Sequence, residues 1–198
     1  AENLHMALAY WQANRPDEAY RLWKSALIES MYLGASPGGF QQLSFYDAIR
    51  GQLYRDFADP VGMAARSLAA GLYGFQPDVL NDTLLISPGY PMKWKETSVS
   101  LGDMDYEFER QKEEDYYYIS QLYRDSLSIK LQVRAPKTNV SSVTVNDSAV
   151  KWTDVQNHMG HPLLQIATGK DLEHTIKIKW KGDAPAIIFC DSIYIAGD

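Results

Sequence analysis

Two aspartates and an arginine in one long connection are the residues of this chain best placed to do chemistry. Residues 35 to 59 read ASPGGFQQLSFYDAIRGQLYRDFAD and carry Asp47, Arg50 and Asp56. A pair of carboxylates can divide the work of proton donor and base, which is the arrangement that hydrolysis of a glycosidic bond requires. Glu2 is a further carboxylate at the start of the chain. No spacing shows which two of these acids face one another.

The same connection also carries rings and amides that suit a hydroxyl-rich ligand. Aromatic rings stack on apolar C–H faces, whereas amides and a guanidinium group hydrogen-bond hydroxyls. A connection of this length is uncommon in a compact domain and is usually functional. It therefore predicts a polyol site and, equally well, an ordered loop held by its own Asp–Arg pairs. The ring and amide candidates are Phe40, Gln41, Gln42, Tyr46 and Tyr54.

Metal, thiol and phosphate chemistry find little support in the sequence. The four histidines are scattered, and the closest spacing, His158 to His161, has only Asp154 nearby, so we expect no metal and no cofactor. The lone Cys190 lies in an apolar run, which predicts a buried free thiol. The chain has no nucleophile elbow, P-loop or dinucleotide fingerprint.

Composition predicts a globular protein. Of 198 residues, 45% are hydrophobic and 22% charged, which is enough apolar material for a sizeable core. The net charge of -6, without a basic block, argues against nucleic-acid and membrane partners. No apolar stretch approaches the roughly 20 residues of a membrane span. Aromatic residues make up 12% of the chain, and we favour core packing over ligand stacking as their main use.

The first part of the chain has a helical period. Apolar residues recur at three and four positions, as in Leu4, Ala7, Leu8 and Trp11, and Pro16 restarts the pattern. The spacing predicts helices over 1–13, 16–33 and 60–74, with the first two antiparallel and Asp59 as N-cap of the third.

A strand period takes over after a turn predicted at Pro77-Asp78. Residues 126–133 and 175–180 alternate polar and apolar side chains, so each predicted strand has one solvent-exposed face. The fold class we predict is α+β, an N-terminal α-helical segment followed by an antiparallel β-sandwich, with domains at 1–80 and 81–198. The predicted strands are 83–86, 99–101, 106–108, 116–119, 126–133, 142–145, 163–166, 174–180 and 186–195.

Two short motifs carry a resemblance to a known family. GLYGFQPD (71–78) and PGYPMKW (88–94) resemble the "GLxGxxPD" and "PGxPxxW" segments of bacterial six-hairpin glycosidases, a group that includes α-rhamnosidase-like and α-fucosidase-like hydrolases and disaccharide phosphorylases. There the motifs mark the passage from the last inner helix of an (α/α)6 toroid to a C-terminal β-sandwich. The run from Phe40 to Trp94 carries the resemblance, and the likeness in the β-sandwich half is one of pattern only.

The resemblance implies the C-terminal fragment of a glycoside hydrolase acting on plant or host glycans. Three helices cannot close a toroid, so it implies a fragment inactive alone, whose partners are an oligosaccharide or polysaccharide and the remainder of the parent chain. A periplasmic or secreted location goes with it, the signal lying outside this sequence. The implied catalytic residue is Asp47, and the implied substrate contacts are Arg50, Phe40, Gln41, Gln42, Tyr46, Tyr54, His5 and Glu2.

Loss of the toroid has a consequence for the helical faces. Leu8, Trp11, Leu68 and Leu72 would form an apolar patch, so we expect either self-association through these faces or packing of the helices on the sandwich.

A second function from another class stays open. The chain could be a non-catalytic carbohydrate-binding or scaffolding module, and an interaction protein unrelated to sugar is a third alternative. Exposed coplanar rings would favour the binding module, the candidates being Tyr116, Tyr117, Tyr118, Tyr123, Trp152 and Trp180.

Overall fold

Three helices lead into two β-sheets in the computed structural model, which describes residues 2–33, 58–123, 125–156 and 161–186. Helix α1 spans Glu2–Gln12 and α2 spans Pro16–Ile28, with a π-helical turn at Glu29–Leu33. Helix α3 spans Ala58–Arg66, and a π-helical turn at Ser67–Leu72 continues it. The three predicted helices are therefore confirmed to within a few residues.

The helices follow from the apolar spacing, with one correction at a helix start. The four residues of the α1 stripe, Leu4, Ala7, Leu8 and Trp11, are all buried. Pro16 is at the start of α2, where its missing N–H costs nothing. The prediction that Asp59 caps α3 is wrong, because α3 already includes Ala58. Asp59 lies in the first turn, where the positive end of the helix dipole stabilises a carboxylate.

Eleven strands are present in the described part of the chain. They are β1 (Phe75–Asp78), β2 (Thr83–Ile86), β3 (Glu96–Leu101), β4 (Met104–Gln111), β5 (Glu114–Gln121), β6 (Ser128–Arg134), β7 (Asn139–Val145), β8 (Ser148–Ala149), β9 (Trp152–Asp154), β10 (Leu163–Lys170) and β11 (Glu173–Lys181). Eight of the nine predicted strands are confirmed. The ninth, 186–195, lies largely outside the described residues, as do Cys190 and His158.

Strand β1 corrects the predicted turn at Pro77-Asp78. Phe75 to Asp78 pair with Thr83 to Ile86 in an antiparallel hairpin. Proline is tolerated because β1 is the edge strand of its sheet, where a missing N–H disrupts no ladder. The change from helix to sheet thus comes at Gly74, and the proposed division into domains at 80/81 stays a prediction.

The strands form two sheets that differ in one respect from the predicted antiparallel pattern. One sheet has the order β1-β2-β6-β10-β9 and the other β3-β4-β5-β11-β7-β8. All pairings are antiparallel except that of β2 with β6, which run parallel from Thr83 opposite Ser128 to Ile86 opposite Leu131. This exception arises because the hairpins between β2 and β6 in the chain belong to the other sheet.

The inner faces of both sheets share one core. The alternation predicted for 126–133 and 175–180 is confirmed, since Ile129, Leu131, Ile176 and Ile178 are fully buried. These residues belong to a single cluster with Trp11, Leu72 and Tyr73 of the helical segment. A second cluster of Leu4, Leu8, Met63 and Ala64 joins α1 to α3. The chain is therefore α+β, with helices packed against a β-sandwich.

The predicted exposed patch on the helices is replaced by packing. Leu8, Trp11 and Leu72 are buried, and Leu68 is partly buried against the main core. The second of the two expected outcomes, helices packed on the sandwich, is the one observed for Trp11 and Leu72. Met6 and Val61 remain exposed on α1 and α3, and self-association through such residues stays a prediction.

A buried histidine on β11 should make stability depend on pH. Burial lowers the pKa of His174, and Asp171 opposes this only in part. The unfolded state therefore binds more protons below about pH 6.5, so stability should fall as pH drops through this value. We expect the melting temperature to decrease between pH 7 and 5, and to decrease less in His174→Gln. An unchanged pH slope in that variant would contradict the prediction.

Candidate functional site

Most residues predicted to bind or act on substrate lie outside the described part of the chain. These are Asp47, Arg50, Phe40, Gln41, Gln42, Tyr46 and Tyr54. Glu2 and His5 are described, and both lie on the exposed side of α1. They are near its N-terminus, about 15 Å (Glu2) and about 10 Å (His5) along the helix axis from Gln12 at 1.5 Å per residue. The structure therefore does not bring them to the junction between the helices and the sandwich.

The two motif segments meet in space and form that junction. Ser87 N–H donates to the carbonyl of Gly74 at 3.0 Å, and Gly89 N–H donates to the carbonyl of Leu72 at 2.9 Å. Gly74 has φ +72°, and a β-carbon there would overlap the backbone of Ser87. Glycine is needed at Gly74 both for the left-handed backbone and for the close approach of the second segment.

Trp11 of α1 fills the space that two further glycines leave. Its indole N–H donates to the carbonyl of Gly89 at 2.7 Å. A β-carbon at Gly71 or Gly89 would overlap the indole ring. The glycines of both motifs therefore let one tryptophan pack between the end of α3 and the loop that follows β2.

A chain of aromatic contacts extends from this point into the sandwich. Trp11 meets Trp23 edge-on at 6.2 Å, and Tyr20 meets Trp94 edge-on at 5.1 Å. Trp94 stacks on Tyr90 with ring centroids 6.1 Å apart. Such pairs add about 0.5–1.5 kcal/mol each beyond the area they bury. Many of the aromatic residues thus pack against one another, in line with the preference for core packing over ligand stacking stated from the composition.

Two arginines, the partly buried Arg110 and the buried Arg134, hold the PGYPMKW segment from the sandwich side. Arg110 donates to Asp115 through two nitrogens, at 2.6 and 2.7 Å, and to the carbonyl of Met92 at 3.0 Å. Arg134 donates to the carbonyl of Tyr90, and Trp180 donates its indole N–H to Asp115 at 2.9 Å. The segment is fixed by its backbone carbonyls, so these contacts do not depend on its side chains.

Burial shapes the electrostatics of this network. It lowers the pKa of Arg134 to about 10, although Tyr90 and Asp17 oppose the shift. It raises the pKa of Tyr90, whose hydroxyl lies 3.1 Å from that of Tyr106. Burial also acts to lower the pKa of Arg110, but the bonds to Asp115 outweigh it and the pKa is raised. The two arginines hold the PGYPMKW segment through hydrogen bonds to its backbone carbonyls.

A cleft of about 280 Å³ opens beside the junction, between α1, the end of α3 and the outer face of the five-stranded sheet. We call it the junction cleft, and its polar lining consists of Gln12, Asn14, Gln76, Ser87 and Gln132. Trp11, Leu85 and Leu163 supply apolar surface. Gln132 donates its amide to Gln165 at 2.8 Å, and Asn14 donates to the carbonyl of His161 at 3.2 Å. None of the lining residues within the described part of the chain carries a formal charge.

Sequence reasoning missed every amide of this cleft. Gln12 is the last residue of α1, and Gln132 lies on the solvent-facing side of β6. Gln76 lies in edge strand β1, part of which was predicted to be a turn. These three residues are too far apart in the sequence to form a local motif. The one signal available was the polar alternation of β6, which places Gln132 on an outer face without saying what covers that face.

The rings proposed for a binding module do not form one platform. Tyr117 and Trp180 are buried in the core. Tyr118 is 41% exposed on the six-stranded sheet, whereas Trp152 is 38% exposed on the edge of the other sheet. The described surface therefore lacks the coplanar rings that would favour that module among these six candidates.

The described residues include no candidate metal centre and no membrane-spanning helix. Among them, no three His, Cys, Asp or Glu side chains are grouped to hold a metal ion. None of the described helices is long and apolar enough to cross a bilayer.

Comparisons with known proteins give a partial likeness of fold. No protein-family model and no curated protein match the chain. Three similar solved structures are an α-L-rhamnosidase from Dictyoglumus thermophilum (11% identity, TM-score 0.39), a GH127 β-L-arabinofuranosidase from Geobacillus stearothermophilus T6 (12%, 0.32) and an α-L-fucosidase isoenzyme 2 from Paenibacillus thiaminolyticus (8%, 0.31). They match 83%, 62% and 44% of this chain respectively. The chain spans only 20%, 19% and 15% of their lengths, and at these TM-scores the likeness bears on neither family nor reaction.

Proposed function

We propose that this chain is the C-terminal part of a six-hairpin glycoside hydrolase, with α1 to α3 closing its (α/α)6 toroid. The observation that carries the proposal is the interlocking of the two motif segments around Trp11. Residues 71–78 and 88–94 carry the resemblance in sequence, and in the structure they join the last helix to the sandwich. That is the position which the resemblance assigns to them.

In this proposal the connection at 35–59 closes one side of the sugar pocket. Arg50 holds Asp47 or a sugar hydroxyl, since a guanidinium and a carboxylate pair through two parallel hydrogen bonds. A neighbouring cation stabilises the ionised carboxylate, so Asp47 acts as base, positions water or orients substrate. Phe40 and Tyr46 stack on the sugar, and the proton donor comes from the preceding part of the parent protein. The chain alone is therefore inactive. Export to the periplasm or the cell exterior accompanies a glycan substrate.

Two conservative variants of the full-length parent test the proposal. Asp47→Asn and Arg50→Lys are each assayed for hydrolysis of 4-nitrophenyl α-L-rhamnoside and α-L-fucoside, and for disaccharide phosphorolysis. Loss of an acid–base group typically costs about 10²- to 10⁴-fold in turnover. We expect a loss in that range for Asp47→Asn at an unchanged melting temperature.

A matched carboxylate separates a catalytic from a structural role. Asp59→Asn makes the same chemical change in the exposed first turn of α3 and should retain turnover. Wild-type turnover in both Asp47→Asn and Arg50→Lys, or a parent without activity on any glycoside, would refute the proposal. Equal losses of activity and melting temperature would assign Asp47 and Arg50 to holding the loop.

A further inference from the structure

The junction cleft has a chemistry that the proposed function does not use. Its polar lining is made of amides and one hydroxyl, contributed by α1, the turn after it, two strands of the five-stranded sheet and the loop that follows β2. Each amide carries both a donor and an acceptor. A set of this kind matches a ligand whose own groups also donate and accept, as hydroxyls do.

The described lining favours a neutral ligand over a charged one. An anion or a cation entering the cleft would meet no opposite charge among the described lining residues. Removing an ion from water without a partner costs far more than one hydrogen bond returns. A neutral molecule loses less hydration, and the amides replace the hydrogen bonds that it gives up.

The apolar walls add a second requirement. Leu85 and Leu163 come from the sheet, and the Trp11 ring comes from α1. Trp11 is held by its bond to Gly89, so this wall is fixed in place. A pyranose-like ring presents C–H faces as well as hydroxyls, and it can satisfy both kinds of surface. Binding sites commonly lie in such clefts between structural units.

We propose that the junction cleft binds a neutral polyhydroxylated molecule of about the size of one monosaccharide. The described residues that line it all lie outside 35–59 in the sequence. It binds ligand without any catalytic step, so it does not rest on the proposed hydrolase activity. Gln76 and Gln12 hydrogen-bond the hydroxyls from the sheet side and from the helix side.

Calorimetric titration of the 198-residue chain tests the site directly. The neutral probes are methyl α-L-rhamnoside, D-glucose and myo-inositol, and the charged probes are D-glucuronate and D-glucosamine. We expect saturable binding of at least one neutral probe, in the range of about 1 mM that suits a site of a few hydrogen bonds. Gln76→Leu and Gln12→Leu should each weaken it up to about tenfold, since one net hydrogen bond is worth at most about that factor.

A glutamine elsewhere provides the control. Gln111→Leu makes the same change at the end of β4, on the other sheet, and should leave binding unchanged. The proposal is overturned by the absence of binding to any neutral probe, by tighter binding of a charged probe, or by binding that neither cleft variant weakens. The cleft variants are scored by binding, whereas Asp47→Asn and Arg50→Lys are scored by turnover. Failure of the cleft is thus distinguishable from failure of the hydrolase proposal.

Discussion

Replacing Gly74 by alanine should lower the free energy of unfolding by about 2–5 kcal/mol, because two costs act together. An L-residue held in the left-handed region loses about 1–2 kcal/mol, and overpacking a tight contact typically costs about 1–3 kcal/mol. Here the added methyl would overlap the backbone of Ser87, which cannot turn aside as a flexible side chain would. Urea denaturation followed by tryptophan fluorescence measures the change.

Two other glycines separate these costs. Gly102 also has a positive φ, +51°, but an added β-carbon meets nothing within 4 Å, so Gly102→Ala should show the backbone cost alone. Gly62 lies in α3 with open space around it, and Gly62→Ala should stabilise slightly, by up to about 1 kcal/mol. If Gly74→Ala is no worse than Gly102→Ala, then the two motif segments do not approach as closely as described.

Removing the charge of Asp115 should have an effect of similar or larger size. The side chain is 1% exposed and accepts hydrogen bonds from two nitrogens of Arg110 and from the indole N–H of Trp180. Asp115→Asn leaves the largely buried Arg110 without its counter-charge, a change that costs about 3–5 kcal/mol. At 2–4 °C per kcal/mol for a chain of this size, the melting temperature should fall by about 6–20 °C.

The neighbouring Glu113 supplies the contrast. It forms an ion pair with Lys137 at 2.6 Å, but its side chain is 57% exposed. Exposed ion pairs contribute little to stability, so Glu113→Gln should have the melting temperature of the wild type. Hydrogen exchange at Met92 to Trp94 should also quicken in Asp115→Asn, since Arg110 anchors the Met92 carbonyl. Equal melting of the two variants would show that the buried pair does not secure the junction.

The sequence predicted those parts of the fold that repeat with a local period. In α1, β6 and β11 the apolar residues recur at a fixed spacing. That spacing predicted both the type of element and the face that is buried. Strand β1 was missed because Pro77 and Asp78 are typical of turns, and only pairing with β2 makes them a strand. Periodicity also carries no information on partners, so the parallel neighbour of β2 could not be predicted.

The candidate site was predicted less well for a related reason. Glycines of the motifs marked the junction, but their spacing does not show that Gly71 and Gly89 flank the ring of a distant Trp11. Buried charges were equally hidden. Asp115 follows two glutamates in what reads as a solvated acidic run, yet it faces the core while Glu113 faces solvent. Which member of such a run is buried depends on the register of β5 with β4 and β11.

The parallel pairing of β2 with β6 has a consequence for the protein during synthesis. A ribosome releases the chain from its N-terminus, so β2 emerges with only the β1 hairpin partner available. Its other edge, with Leu84 and Ile86, then stays unpaired while β3, β4 and β5 are synthesised, because those strands form the other sheet. An open apolar edge is a template for association with other nascent chains. In the interval before Ser128 emerges, this edge of β2 is therefore open to association with other chains.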